Sequence, residues 1–170
     1  VRLGCERFRE EDFRRNHPGG SLGERLKVAV REVMLTGDKV PQVSKEETFE
    51  QAVAELNKKN IGAVLVVEGS DKLCGIITDG DLRRHLLEER WLGGGSDGVG
   101  GAAGESRKQL TEIMTPHPVT ISGDLMAADA LSLMQSKDIT VLAVVGEDNE
   151  VEGILHLHDL LGKGEFRFLI

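Results

Sequence analysis

The sequence predicts an α/β protein made of two β-α-β-β-α units that pack as a pseudo-two-fold pair. The first observation is an internal repeat: residues 43–82 align without a gap on residues 121–160, and ten of the forty positions are identical. The second is that each copy passes from helical spacing of its apolar residues to short β-branched runs typical of buried strands. Two copies of one structural unit are therefore expected.

Each copy contains an amphipathic helix near its start. Apolar residues recur at i, i+3, i+4 and i+7, which places them on one face of a helix. These residues are Phe49, Ala52, Val53 and Leu56 in the first copy, and Ala127, Ala130, Leu131 and Met134 in the second. Thr48 followed by Gln51 forms a capping-box signature, so the start of the first helix is set locally.

A hairpin follows each of these helices, and a second helix closes each unit. The predicted hairpin strands are Ala63–Val67 with Leu73–Thr78, and Val141–Val145 with Val151–Leu155. Amphipathic stretches at Asp79–Glu89 and Leu157–Leu161 are predicted to be the closing helices. Short strands around Val40–Val43 and Val119–Ile121 open the two units.

The chain is predicted to have five segments. Seven glycines lie between Gly93 and Gly104, which is typical of a flexible linker. The chain begins at Val1 rather than at a methionine, so we expect a fragment of a longer protein. The predicted division is a linker from a missing upstream domain (1–27), the first repeat (28–90), the glycine-rich linker (91–109), the second repeat (110–163) and a tail (164–170).

Composition narrows the possible functions. The net charge of -8 and the pI near 5.2 argue against nucleic-acid binding. The longest apolar runs hold five residues, whereas a membrane-spanning helix needs roughly 20. Two cysteines and no apparent signal peptide make the cytoplasm the expected compartment. No metal site is expected, because His156 and His158 have no third ligand at a recognisable spacing.

The segment from Gly75 to Asp81 is the most informative about what the protein could bind. It runs from a buried strand into a helix N-terminus, where unpaired N–H groups favour a phosphate. The Thr78 hydroxyl can add a hydrogen bond to that phosphate, and the Asp81 carboxylate matches a ribose diol. Thr78 and Asp81 also form a plain capping box, which is the structural alternative.

The second copy keeps part of this pattern. Gly153 and Asp159 return, but His156 replaces the threonine. A protonated histidine can donate to a phosphate, whereas an uncharged one can equally be a packing residue, and both interpretations stay open.

Two units that each carry this motif resemble a tandem cystathionine β-synthase-type (CBS) domain pair, a regulatory module that binds nucleotides in clefts between its copies. A more specific resemblance, to the C-terminal half of D-arabinose 5-phosphate isomerases, covers nearly the whole chain. It rests on Glu11-Asp12-Phe13, the segment His17 to Gly23, Met34 with Thr36-Gly37-Asp38, the segment Thr78 to Arg84, and the segment His156 to Leu161.

The isomerase resemblance implies an upstream sugar isomerase (SIS) domain that interconverts D-ribulose 5-phosphate and D-arabinose 5-phosphate. The product feeds synthesis of 3-deoxy-D-manno-octulosonate (Kdo), a lipopolysaccharide sugar. By the same resemblance, His17 lies at the isomerase active site, where a histidine has a suitable pKa for proton transfer. Its partners would be in the SIS domain, so this chain alone is predicted to be non-catalytic.

The resemblance and the repeat also indicate which residues shape the nucleotide clefts. In addition to Thr78, Asp81, His156 and Asp159, they are Thr36, Ile61, Gly62, Ala63, Thr115, Thr120, Ile139, Thr140 and Val141. Ile61 and Ile139 are either walls for a base or ordinary core residues. Arg83 and Arg84 either contact phosphate or belong to a solvated helix face.

The resemblance further implies effectors and partners. No cofactor is required, and the candidate effectors are AMP or ATP and cytidine-monophosphate-activated Kdo (CMP-Kdo). Self-association as a homodimer is expected, with a homotetramer in the full-length enzyme. The alternatives are an oligomerisation scaffold that binds no physiological ligand, and the CBS pair of another protein such as a transporter or dehydrogenase.

Overall fold

The computed structural model describes residues 26–92 and 109–161. The first repeat comprises α1 (Val30–Val33), β1 (Gln42–Ser44), α2 (Phe49–Lys59), β2 (Ala63–Glu68), β3 (Lys72–Thr78) and α3 (Asp79–Leu92), with a 3-10 turn at Gly37–Lys39. The second comprises α4 (Leu110–Ile113), β4 (Thr115–Pro116), β5 (Thr120–Ile121), α5 (Ala127–Lys137), β6 (Val141–Val145), β7 (Val151–His156) and α6 (Leu157–Leu161).

The predicted α/β class and the β-α-β-β-α order of both units are confirmed. Three elements were not predicted: the four-residue helices α1 and α4 and the two-residue strand β4. All three are too short to produce a periodic apolar pattern. His17, residues 93–108 of the predicted glycine-rich linker (91–109) and the tail at 164–170 lie outside the described residues. Residues 91 and 92, predicted to begin the linker, instead end α3. Within the described part, no helix combines the length and apolar character needed to cross a membrane.

The two repeats have the same pattern of hydrogen bonds between their strands. In each unit a parallel strand pair is followed by an antiparallel hairpin, giving the orders β1-β2-β3-β4 and β5-β6-β7. Val43 lies opposite Val66, and Ile121 lies opposite Val144. Both hairpins also carry an irregularity at one place, after Val66 and after Val144. The sequence offset of 78 is therefore also the offset between the two strand registers.

The segment that leads into each repeat completes the sheet of the other repeat. β4 pairs with β3, with Thr115 opposite Ile76. In the equivalent place, Leu35 exchanges two backbone hydrogen bonds with Ile154, of 2.8 and 3.0 Å. We call residues 30–35 and 110–116 the lead segments of the first and second repeat. Each lead segment thus pairs with the sheet of the other repeat across the pseudo-two-fold axis.

The hydrophobic cores show the same exchange. Val30 of α1 is fully buried among residues of the second repeat, and Met34 packs against that core. Leu110 of α4 is fully buried in the core of the first repeat, where Met114 also packs. A third cluster lies between the sheets and takes Leu65, Leu73, Ala143 and Ile154 from both repeats. Each hydrophobic core therefore contains residues from both repeats.

The two hairpin turns meet at the pseudo-two-fold axis. The Leu73 N–H donates to the Asn149 carbonyl and the Val151 N–H donates to the Asp71 carbonyl, both at 3.0 Å. Asp71 and Asn149 adopt the left-handed conformation, at φ 61° and 62°, which these residue types tolerate in tight turns. The turns therefore add a small polar contact beside the apolar one between the sheets.

Candidate ligand-binding site

Both repeats build the same junction between a strand and a helix. Thr78 ends β3 and His156 ends β7, and a helix starts at the next residue in each case. The first helical N–H donates back to the start of the central strand: Asp79 to the Gly62 carbonyl at 3.2 Å, and Leu157 to the Thr140 carbonyl at 2.8 Å. These bonds fix the position of each helix N-terminus beside the hairpin.

At the first junction, Thr78 and Asp81 form a reciprocal capping box. The Thr78 hydroxyl and N–H both donate to Oδ2 of Asp81, at 2.8 and 2.9 Å, and the Asp81 N–H donates to the hydroxyl at 3.3 Å. Arg84 contacts the other carboxylate oxygen at 3.4 Å. Asp81 is only 8% exposed. The structural alternative considered for this motif is therefore present, and both carboxylate oxygens already have partners.

The second junction is built differently because His156 replaces the hydroxyl. Nδ1 of His156 accepts the N–H of His158 at 3.1 Å, and the two imidazole rings meet edge to face at 4.7 Å. Burial lowers the pKa of His156, the charge of His158 lowers it further, and Asp159 raises it. Asp159 is half-buried. His156 is thus held in the neutral form at pH 7.

A cleft of about 490 Å³ lies at this second junction and is lined by both repeats. We call it the inter-repeat cleft. The first repeat contributes Leu35, Asp38, Lys39, Lys58, Lys59, Asn60 and Ile61, and the second contributes His156, His158 and Asp159. Three lysines and two histidines face two carboxylates, so the cleft suits an anion that also carries hydroxyl groups.

The lysines differ in how far they are already engaged. Lys59 lies 3.8 Å from Glu55, its Nζ also donates to the carbonyl of Asp38, and its side chain is 18% exposed. Lys39 and Lys58 are exposed. A neighbouring cleft of about 720 Å³ shares Lys58 and Lys59 and extends to Asp71 at the hairpin turn. Lys39 and Lys58 are therefore the cations more readily available to a ligand.

Of the residues predicted from sequence, the inter-repeat cleft brings together Ile61, His156 and Asp159. Thr36 adjoins it, next to Leu35, and is exposed. Gly62 contributes its carbonyl to the first junction and takes a φ of +81°, which favours glycine. Ala63 is fully buried opposite Thr78, so its backbone rather than its side chain lies at the junction.

The remaining predicted residues are spread more widely. Ile139 packs against the second core, while Val141 lies opposite His156 and packs between the sheets. Thr120 lines a separate depression of about 420 Å³. The other residues are all exposed: Arg83, Arg84, Thr115 and Thr140. The structure therefore does not gather this second group into the inter-repeat cleft.

The sequence analysis missed the basic residues of the cleft. Lys39 directly follows the Thr36-Gly37-Asp38 segment, and Lys59 is one of the ten positions repeated in the second copy, as Lys137. A repeated lysine at a helix C-terminus is also expected from the helix dipole alone, so this signal did not single it out. Among the described residues, no group of three or more metal-ligating side chains occurs.

Comparison with known proteins gives a consistent family assignment. The CBS domain model matches residues 30–88 and 110–164. The chain is 40% identical over 162 residues to the arabinose 5-phosphate isomerase KdsD of Salmonella typhi, covering 95% of this chain and 45% of that protein. KdsD of Pseudomonas aeruginosa is 38% identical over 164 residues, with coverages of 95% and 46%. The chain thus spans just under half the length of these relatives.

Solved structures share the fold. CBSX2 in complex with AMP superposes with a TM-score of 0.64 at 22% identity, covering 78% of this chain and 92% of that chain. The CBS domain pair of MJ0100, in complex with 5'-methylthioadenosine and S-adenosyl-L-methionine, also gives 0.64 at 22% identity, with coverages of 79% and 94%. At this identity the likeness establishes the fold.

Proposed function

The chain belongs to the CBS domain family, and on that premise we propose that it is the nucleotide- or nucleotide-sugar-binding regulatory part of a D-arabinose 5-phosphate isomerase. The similarity to KdsD extends over 95% of the chain, which favours this parent over other proteins that contain CBS pairs. The parent would interconvert D-ribulose 5-phosphate and D-arabinose 5-phosphate and supply Kdo synthesis. Its catalytic groups, apart from His17, would lie outside this chain.

The observation that carries the ligand proposal is the inter-repeat cleft. It combines an apolar wall at Ile61, cations at Lys39 and Lys58, and the carboxylate of Asp159. A nucleotide has the matching parts: a base for the apolar wall, a phosphate for the lysines and a ribose diol for the carboxylate. AMP, ATP and CMP-Kdo all carry these parts, so they are the candidate effectors.

The exchanged lead segment provides a route from the ligand to the isomerase. Leu35 lines the cleft and is hydrogen-bonded to Ile154. It follows α1, whose Val30 is buried in the second core. A ligand that fixes Leu35 would therefore fix the chain leading back towards His17. Regulation then requires only that the ligand binds one arrangement of this segment better than another.

A thermal-shift panel on the 170-residue chain tests the proposal, using AMP, ADP, ATP, CMP, CTP and CMP-Kdo. A ligand at about 100 times its Kd stabilises the fold by about 2.7 kcal/mol, which raises the Tm of a chain of this size by about 5 to 10 °C. We expect a selective shift with one effector class. No shift with any of the six compounds would contradict the proposed ligand class.

A pair of variants locates the binding site. Asp159→Asn removes the carboxylate charge from the cleft and should abolish most of the ligand-induced shift. Asp148→Asn makes the same chemical change at an exposed turn residue outside the lining of the cleft and should leave the shift intact. Equal shifts in both variants would place the ligand elsewhere.

One observation favours a second function, that of an oligomerisation scaffold. Leu86 and Leu87 on α3 are 56% and 51% exposed, and Leu125 and Met126 are 47% and 41% exposed. Large apolar side chains in such positions suit self-association. Sedimentation equilibrium of the chain separates the two functions, since a stable dimer together with a flat ligand panel would favour the scaffold.

A further inference from the structure

The depression of about 420 Å³ that Thr120 lines is separate from the inter-repeat cleft. It lies at the carboxyl ends of the parallel strands β5 and β6, whereas His156 pairs with Val141 at the start of β6. We propose that this depression binds a primary alkylammonium group, an ammonium carried on an unbranched hydrocarbon chain. The inference does not depend on the proposed function.

The first repeat shows how the equivalent place is filled there. Lys45 directly follows β1, Glu68 ends β2, and Nζ of Lys45 donates to the carboxylate of Glu68. The N–H of Lys45 also donates to the Val67 carbonyl at 2.9 Å, which fixes the lysine beside β2. A lysine side chain therefore brings its ammonium to a carboxylate at the carboxyl ends of these two strands.

Both members of this ion pair are replaced by glycine in the second repeat. At the offset of 78 residues, Gly123 corresponds to Lys45 and Gly146 corresponds to Glu68. The carboxylate of Glu152 lies between the two glycines. A Cβ at Gly146 would be 2.8 Å from its Oε1, and a Cβ at Gly123 would be 3.3 Å from its Oε2. The second repeat therefore keeps a carboxylate at this place but has no lysine of its own there.

The lining of the depression suits a hydrocarbon chain. Four residues supply apolar surface: Ile121, Leu125, Leu133 and Val145. Leu125 is 47% exposed, so an alkyl chain that lies on it removes apolar surface from water. Lysine side chains bury their hydrocarbon stems in the same way while the charged end stays at a polar rim.

The charged residues of the depression favour a cation. Three carboxylates, those of Asp124, Glu147 and Glu152, face the single guanidinium of Arg31. Arg31 is already bonded to Asp124, and its Nε donates to the Gly123 carbonyl at 3.4 Å.

Two of these carboxylates are available to a ligand. In the part of the chain that the structure describes, neither Glu147 nor Glu152 is paired with a basic side chain. An ammonium has three N–H donors for such oxygens. The same excess of negative charge disfavours a phosphate or a carboxylate ligand.

NMR titration of the 170-residue chain with pentylammonium chloride at constant ionic strength tests the proposal. We expect saturable shifts of the backbone amides of Gly123, Gly146 and Glu152. The matched uncharged ligand is n-pentanol, which should bind about fivefold more weakly, because it cannot form the ion pair. A second cation, Nα-acetyl-lysine amide, distinguishes the two sources of the group. Tighter binding than pentylammonium would identify a lysine of another protein, and weaker binding would identify a free amine.

Two variants locate the ammonium. Gly123→Lys gives the second repeat the lysine of the first and should abolish the saturable shifts, because its own ammonium takes the place of the ligand. Glu152→Gln keeps the shape of the side chain and should weaken pentylammonium binding about three- to fivefold, while n-pentanol binding stays unchanged. The control is Glu112→Gln, the same chemical change at an exposed residue outside the depression, which should leave Kd unchanged.

Several results would overturn the proposal. They are the absence of saturable shifts, equal binding of n-pentanol and pentylammonium, and shifts centred on the inter-repeat cleft. An unchanged Kd in Glu152→Gln would overturn it as well, and that variant keeps the test decisive even if Gly123→Lys does not fold.

Discussion

At the scale of single residues, close packing explains why the same glycine occurs in the motif of each repeat. A Cβ at Gly153 would lie 2.6 Å from the Leu35 carbonyl oxygen and 2.8 Å from Sδ of Met34. A Cβ at Gly75 would meet the side chain of Met114, with Cγ at 2.8 Å. The exchanged lead segments thus pack closely against β3 and β7 and leave no room for a side chain at either glycine. This explains why these glycines recur together with the two methionines.

The two glycines should differ in their tolerance of alanine. Gly153→Ala meets a backbone oxygen that cannot turn aside, so we expect a loss of about 1–3 kcal/mol in the free energy of unfolding. Gly75→Ala meets only a flexible methionine side chain and should cost less. Urea denaturation of both variants measures the difference, and an equal loss would contradict this account.

Gly80→Ala is the matched control. Gly80 lies in the first turn of α3, where the nearest atom to a new Cβ is the Thr78 hydroxyl at an ordinary 3.5 Å. We expect no loss of stability, and a gain of up to about 1 kcal/mol, because alanine is the better helix former.

At the scale of elements, the equivalent helices α2 and α5 begin differently. Thr48 accepts the Gln51 N–H at 3.3 Å, and the Gln51 side chain accepts the Thr48 N–H at 2.8 Å. At the start of α5, Asp129 accepts the Met126 N–H at 3.2 Å, but Met126 offers no acceptor in return. Half of a capping box is therefore present in the second repeat.

Met126→Ser should complete that box. Met126 already has an extended backbone, at φ -77° and ψ 149°, and its side chain is exposed. A serine hydroxyl there can accept the Asp129 N–H and should add about 1 kcal/mol to the free energy of unfolding. Thermal or urea unfolding measures the change, with Met126→Ala as the control for removing the methionine. Equal stability of the two variants would contradict the expected gain.

At the scale of the whole molecule, the exchange of lead segments makes the two repeats depend on each other. Leu110 precedes the second repeat in sequence, yet it is fully buried beside Val43, Leu56 and Val64 of the first. Loss of its side chain should therefore weaken a unit that ends almost twenty residues earlier in the chain.

Leu110→Ala tests this dependence. We expect a loss of about 2–5 kcal/mol in the free energy of unfolding, as for other fully buried leucines. Hydrogen exchange under native conditions should accelerate first in β2 of the first repeat. Leu125→Ala, at a leucine that is 47% exposed, should change stability little. Faster exchange confined to β6 would contradict the exchanged arrangement.

The sequence by itself determined the repeat, the helix faces and the two hairpins, because each follows from residues close together in the chain. It also identified Thr78 with Asp81 and His156 with Asp159 as equivalent pairs. These inferences needed only the 78-residue offset and the periods of helix and strand.

Tertiary structure alone decided which repeat each lead segment joins and which charges meet in the cleft. Leu35, Lys39 and Ile61 reach His156 and Asp159 through the fold, across about a hundred residues of sequence. The helices α1 and α4 have only four residues each, too few to show a helical period in the sequence. Each is held in place by one residue that is buried in the core of the other repeat. The sequence also showed that His156 replaces the Thr78 hydroxyl, but only the structure showed that Thr78 donates to Asp81 whereas His156 accepts the backbone N–H of His158.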